Sequence, residues 1–187
     1  MTKPKKIICI LLALFFSISV SVLAAVSILK VLYPREYAEI VETTADEYGI
    51  SPAFVYAVIE CESGFDKNAV SSVGARGLMQ IMPETFFWLQ SKTKQELSED
   101  SLFEPETNIK YGCYLYSILF KEFGNEQVVV AAYHAGFGNV RKWLKDERYS
   151  SDGKTLKDIP FPSTGQYVNK VIKTRNIYEK LYYGKDA

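Results

Sequence analysis

The sequence predicts a mostly α-helical domain behind one apolar N-terminal helix. Three observations carry that prediction. From Ile7 to Leu29 no residue is charged. After Tyr33, every long segment repeats its apolar residues with the 3.6-residue period of a helix, and none alternates convincingly as a strand does. Prolines at 34, 52, 83 and 105 stand where such segments open, and glycines at 49, 64, 124 and 136 where they close.

Composition narrows the class. The chain has 187 residues, 48% apolar and 24% charged, enough for one domain of ordinary size plus a short appendage and inconsistent with wholesale disorder. Its 22 Lys+Arg balance 22 Asp+Glu, which argues against nucleic-acid binding, where a basic excess is needed. One His and three scattered Cys do not supply about four close nitrogen and sulfur ligands for zinc, so neither metal nor cofactor is expected.

The N-terminal segment, residues 1–32, holds Lys3, Lys5, Lys6 and Lys30 and no acid. A helix over residues 7–29 would rise roughly 34 Å, enough to cross the hydrocarbon layer of a membrane. Small residues at Ala24 and Ala25 would permit cleavage of a signal peptide, but the apolar run is longer than the usual signal core, which favours an uncleaved anchor. Three lysines before the run, against Lys30 and Arg35 after it, predict a cytoplasmic N-terminus and an extracytoplasmic domain over residues 33–187. Cys9, inside the run, reads as a small hydrophobe.

The helices of that domain follow in order. Pro34 is expected to open one carrying Tyr37, Ile40, Val41 and Tyr48, closed by Gly49. Ser51 and Pro52 signal the start of the next, with Phe54, Val55, Val58 and Ile59 buried, stopping near Gly64. Residues 65–77 read as loop, and Pro83 starts a short helix through Phe87 and Leu89. Pro105 opens a long helix whose stripe is Ile109, Gly112, Tyr116, Leu119, Phe120 and Phe123. Asn125 caps another through Val128 and Ala132, although β-branched residues at 128–130 slightly disfavour it. Asn139 is expected to cap a helix with Val140 and Trp143. Ser163 or Thr164 is expected to cap the last, with Val168, Val171, Ile172, Tyr178 and Leu181 inward. Phe86 and Phe87 read as core, while Trp88 suits either core or a sugar-binding surface. Cys61 and Cys113 sit on predicted helices among apolar neighbours, and three Cys overall give no neat pairing, so a disulfide between them is not expected.

Glu62 is the residue to weigh for chemistry. It ends an apolar helix, where the negative end of the helix dipole and loss of water both favour a protonated carboxyl. A general acid requires that form near neutral pH. Periodicity alone does not lift Glu62 above Glu60, which reads as structural or exposed. The downstream blocks do. Gly74-Ala75-Arg76-Gly77-Leu78-Met79-Gln80-Ile81-Met82-Pro83 places two glycines around a tight backbone path, an amide at Gln80 suited to polar recognition and an adaptable apolar surface at Met82. Ala131-Ala132-Tyr133-His134-Ala135-Gly136-Phe137-Gly138 adds small residues at a helix end, two glycines and two exposed-type aromatics, so that a large ligand can approach the backbone while Tyr133 supplies a stacking face.

These blocks, with Glu62-Ser63-Gly64-Phe65, Ala69-Val70-Ser71, Asn108-Ile109, Gly112, Ile159-Pro160-Phe161, Thr164 and Tyr167-Val168, resemble the soluble-lytic-transglycosylase-type domain over about residues 36–183. The resemblance implies a lysozyme-like fold and cleavage of the β-1,4 link between N-acetylmuramic acid and N-acetylglucosamine in peptidoglycan. It implies Glu62 as single acid/base, with Ser71, Gln80, Met82 and Tyr133 lining the glycan groove and Tyr167 close to the catalytic carboxyl. His134 stands where the family usually has Asn, and Ser163 where an acid is common. An imidazole keeps one polar contact but not an amide's paired donor and acceptor, so His134 is expected either at the substrate or as a structural brace. With no partner carboxylate supplied, the expected product is a 1,6-anhydro end formed without water. A hydrolytic muramidase, or a wall-binding module that has lost catalysis, are the alternatives.

Overall fold

The structure is a computed structural model that describes residues 3–184, with side chains from Leu11 onward. The side chains of Lys3, Lys5, Lys6 and Cys9 lie outside the described residues. The chain divides into two compact units, Met1–Pro34 and Arg35–Ala187.

The first unit is one helix, α1 (Lys3–Leu32). Its part Leu11–Leu32 is 22 residues long, and by length and composition it suffices to cross a membrane. Phe15, Phe16 and Leu23 are exposed. The hydroxyls of Ser19, Ser21 and Ser27 donate to carbonyls four residues earlier, so these polar groups are satisfied within the helix.

The second unit is built on α2 (Ala38–Tyr48), α3 (Pro52–Glu62), α4 (Pro83–Thr93), α5 (Pro105–Phe123), α6 (Glu126–Ala135), α7 (Phe137–Leu144) and α8 (Pro162–Tyr178). A 3₁₀ turn, Glu99–Phe103, precedes α5, and a π turn, Glu179–Tyr183, follows α8. Among the described residues there is no strand, only isolated antiparallel bridges from Arg76 to Val70 and to Ile81.

Helix α3 is the centre. Every residue from Ala53 to Ile59 is buried, as an α-helix apolar on all sides requires. Its most extensive neighbour is α8, with α2 on another side; α5 packs against α2 and α6, and α6 against α8. Phe54 meets Tyr116 of α5 edge-on at 4.9 Å, and Tyr56 stacks on Tyr178 of α8 at 5.3 Å. The valines at 128–130 are helical and fully buried, so tertiary packing outweighs their weak propensity.

Several helix ends differ from the sequence expectation. Helix α2 begins at Ala38 rather than Pro34, because Tyr37 takes a left-handed conformation (φ 56°) that an α-helix does not continue. Ser51 precedes α3 as expected, but its hydroxyl donates to Glu179 (2.8 Å) and caps no first-turn N–H. Asn139 lies inside α7, donating to the Ala135 carbonyl, since Gly136 (φ 83°) already starts the helix at Phe137. Ser163 and Thr164 lie within the first turn of α8, where Pro162 takes the first position and Phe161 the cap. Ile172 and Leu181 are only half-buried, while Val168, Val171 and Tyr178 point inward. Phe86 is fully buried, but Phe87 and Trp88 are exposed. Cys61 and Cys113 are both free thiols.

Candidate active site

Glu62 is the last residue of α3, and α8 runs beside it. The Tyr167 hydroxyl of α8 donates to Glu62 Oε1 at 2.5 Å. One turn further along α8, Lys170 Nζ donates to the Cys61 carbonyl at 3.2 Å, satisfying one of the open carbonyls at the end of α3. Burial raises the Glu62 carboxyl to about 7, against the opposing pull of the Tyr167 hydrogen bond and the Lys170 charge. Glu60, half-buried on the same turn, is also raised by burial and pulled down by Lys170, but it accepts no comparable hydrogen bond.

Three helices hold the segment from Ser71 to Met82. From the end of α3, Ser63 Oγ donates to the Leu78 carbonyl (2.8 Å). From α5, fully buried Asn108 accepts from Met79 N (2.7 Å) and donates to the carbonyls of Arg76 (3.0 Å) and Leu102 (2.7 Å). From α6, the Tyr133 hydroxyl donates to the Met79 carbonyl at 2.5 Å. Two glycines make this approach possible. A Cβ on Gly77 would collide with the Leu102 carbonyl and the Asn108 amide, and one on Gly112 with the Met79 sulfur. Arg76 closes the far side, pairing with Glu99 (2.9 Å) and Asp100 (3.2 Å) of the 3₁₀ turn.

Within this segment the expected site residues take definite positions. Ser71 Oγ accepts from Ala75 N (2.9 Å) and so shapes the turn at 71–75, keeping its own hydroxyl proton for another partner. Gln80 adopts a left-handed conformation (φ 49°), and its amide nitrogen donates to the Ala69 (3.1 Å) and Gly77 (2.9 Å) carbonyls. The Gln80 carbonyl is thereby left as an acceptor. Met82 is half-buried at the cap of α4.

Around Glu62 the aromatic groups form a layered set. Tyr133 stacks on Tyr116 at 4.2 Å and 7°, and both sense the Glu62 charge. The Tyr116 hydroxyl is buried without a hydrogen-bond partner at normal geometry, although it lies within electrostatic reach of Tyr167 and Glu62. His134 stacks on Tyr167 at 4.6 Å. Its Nδ1 meets the buried Thr164 hydroxyl at 3.0 Å. His134 is exposed overall, but its stacking on Tyr167 covers part of the ring, and that partial burial lowers its pKa. His134 thus braces the tyrosine that holds Glu62. Ser163 is exposed on the first turn of α8.

The structure brings Glu62, Tyr133, His134 and Tyr167 into one cluster, and ties the Ser71–Met82 segment to that cluster through Tyr133 and Ser63. Sequence reasoning assigned no role to Ser63, Asn108 or Lys170. Asn108 carried a signal, a polar side chain beside Ile109 on the face of α5 that is otherwise apolar. A surface hollow of about 590 Å³, lined by Phe87, Gln90, Lys94, Glu96 and Leu97 among others, contains none of the expected site residues. It lies at the end of α4, and its one carboxyl, Glu96, is exposed rather than buried as Glu62 is. No cluster of three or more His, Cys, Asp or Glu suited to a metal occurs among the described residues.

The chain matches the family model of the transglycosylase SLT domain over residues 39–156. It is 32% identical over 163 residues to the soluble lytic murein transglycosylase of Salmonella typhimurium, covering 83% of this chain and 25% of that protein. It is 29% identical over 167 residues to the membrane-bound lytic murein transglycosylase C of Haemophilus ducreyi, covering 77% of this chain and 46% of that protein. Among solved structures it is similar to an inactive mutant of the lytic transglycosylase Slt from Pseudomonas aeruginosa, with TM-score 0.74 and 35% identity over 81% of this chain and 25% of that one. It is likewise similar to the 70 kDa soluble lytic transglycosylase from Escherichia coli, with TM-score 0.72 and 30% identity over 84% of this chain and 26% of that one. The fold of the second unit is therefore that of the lysozyme-like domain in these proteins, and the chain spans about a quarter of the length of the soluble relatives.

Proposed function

The chain belongs to the transglycosylase SLT domain family, and from that premise we propose that it is a peptidoglycan lytic transglycosylase with Glu62 as its single acid and base. The observation that carries the reading is one carboxyl, raised by burial to about 7 and held by Tyr167. Such a group is half-protonated near neutral pH, where it serves as acid first and base second.

In the proposed reaction, protonated Glu62 gives its proton to the glycosidic oxygen as the bond to muramic C1 breaks. The 2-acetamido group of the muramic acid stabilises the developing cation. The Glu62 carboxylate, steadied by the Tyr167 hydroxyl, then takes the proton from the muramic O6 hydroxyl, and O6 closes on C1. The bond broken is C1–O, the bond formed is C1–O6, and the proton returns to Glu62. In this reading Ser71, Gln80, Met82, Tyr133 and His134 bind the glycan. The Gln80 carbonyl and Ser71 hydroxyl supply polar contacts, and His134 contributes its outward nitrogen. Digestion of purified sacculi tests the chemistry. The expected product carries the anhydro mass, and products uniformly heavier by one water would make the protein a hydrolase.

Residues 7–29 anchor the enzyme in the membrane in this reading, with the N-terminus cytoplasmic and the glycan-cleaving domain outside. The run's length and its flanking lysines support that orientation. Protease added outside intact spheroplasts should degrade the domain; protection of it would reverse the topology.

A further inference from the structure

We propose that Trp88 and Phe137 form an additional stacking subsite for the wall glycan, beyond His134 and away from the bond that is cut. The inference rests on the reading of the Glu62 site given above, and it concerns residues to which that reading gives no role.

The two rings come from different helices. Trp88 lies on α4 and Phe137 opens α7, and these helices share few other contacts. The ring centroids stand 6.1 Å apart with planes 29° from parallel. Trp88 is 36% exposed and Phe137 is 38% exposed. Two large adjacent rings left partly in water, from two different helices, mark a surface with a use. The core does not need them. Their neighbour Phe86 is fully buried and packs edge-on against Tyr111 at 4.6 Å.

A cation lies over each ring, one pinned in place and one able to move. Arg141 lies over Phe137 at 4.8 Å and is fixed there by two hydrogen bonds to Glu122, at 2.5 and 2.8 Å. Lys92 lies over Trp88 at 4.6 Å, is exposed, and has no acid within ion-pair distance among the described residues. Its flexible stem can swing away and uncover the indole face. A pyranose ring offers an apolar face of C–H groups that suits such a surface, with hydroxyl and acetamido groups at its rim for a polar edge.

Continuity with the Glu62 site identifies the occupant. Phe137 follows His134 by three residues, a reach of at most about 11 Å of extended chain. Trp88 follows Met82 by six residues, about 9 Å along α4. The pair therefore links the two chain segments already read as binding glycan.

The test uses the full-length chain carrying Glu62→Gln, which binds without turnover, and β-1,4-linked N-acetylglucosamine oligomers of increasing length as probes. The chain has two tryptophans, and Trp143 is 7% exposed, so a ligand-induced emission change reports on Trp88. Long oligomers should change the emission saturably and a disaccharide should not. Trp88→Phe should abolish the change, and Trp88→Ala should weaken long oligomers roughly tenfold by calorimetry while leaving the disaccharide unaffected. Because Trp88 is a surface residue, an unchanged circular dichroism spectrum is expected for each variant. Equal affinity of wild-type and Trp88→Ala backgrounds for every length overturns the subsite. Failure of any length to bind, together with no release of fragments from sacculi by the wild type, overturns the glycan-cleaving reading itself.

Discussion

Two carboxylates in this domain each accept a hydroxyl hydrogen bond, yet they are displaced in opposite directions. Glu62, where α3 meets α8, accepts from Tyr167 at 2.5 Å and is raised to about 7. Asp152, in the loop between α7 and α8, accepts from the Thr155 hydroxyl at 2.8 Å and is held well below the usual carboxylate range. The difference lies in water and backbone. Asp152 is exposed and also receives the N–H groups of Lys154 (2.8 Å) and Thr155 (2.7 Å), so its charge is solvated from two sources. Glu62 has lost most of its water and has no backbone donor in exchange. A hydrogen bond to a carboxyl does not by itself set its titration; the balance of donors against desolvation does.

The largest expected effect separates the two by function. Glu62→Gln keeps the shape and removes the transferable proton, so release of soluble fragments from sacculi should fall at least ~10²-fold. Asp152→Asn should leave that rate within a factor of about two, as distant surface changes do. Retained turnover in the Glu62 variant would remove it from the chemistry.

A second, smaller effect isolates the Tyr167 hydrogen bond. Tyr167→Phe withdraws a donor that favours the charged form, so the Glu62 pKa should climb above 7. The rate at neutral pH should drop roughly tenfold, in line with losing a bond to a charged group. The alkaline limb of the pH–rate profile should move to higher pH; a limb shifted downward would mean that Tyr167 does not act on Glu62.

The smallest effect is on stability, and its sign differs between the two residues. Glu62 is raised above its unfolded value of about 4.5. Its contribution is therefore whole below that pH and lost as pH rises through 7. Glu62→Gln escapes this loss, so thermal unfolding should find the variant more stable than wild type at pH 8, by at most about 3 kcal/mol, and no different at pH 4. Asp152 is depressed, so its contribution is present above the ordinary carboxylate range and lost in acid. Asp152→Asn should lower the midpoint at pH 7 and converge with wild type as pH falls. Parallel pH profiles for the two variants would erase the contrast.

Much of the helical frame is readable from local chemistry. Gly49 and Gly124 end α2 and α5 in left-handed conformations as expected, and Asn125 caps α6 by accepting from Val128 N at 3.2 Å. These are short-range effects, set by residues within a turn of one another. Where a helix end depends on a distant partner, local signals point elsewhere. Ser51 is taken by Glu179 and Thr164 by His134, so neither acts as a simple cap. At the site, the Gly-Leu-Met-Gln block and Glu62 stand out in the sequence, while Asn108 and Ser63 become intelligible only as hydrogen-bond partners of that block.

The sequence alone determined the helical class, the apolar N-terminal helix and the short list of residues on which chemistry could rest, because periodicity, proline and glycine act along the chain. Tertiary structure decided which of those residues meet and in what state. Desolvation and hydrogen bonding arise between segments far apart in the chain: Tyr167 reaches Glu62 across 105 positions, and Tyr133 reaches Met79 across 54. A carboxyl's protonation depends on what surrounds it in space, and no local pattern encodes that.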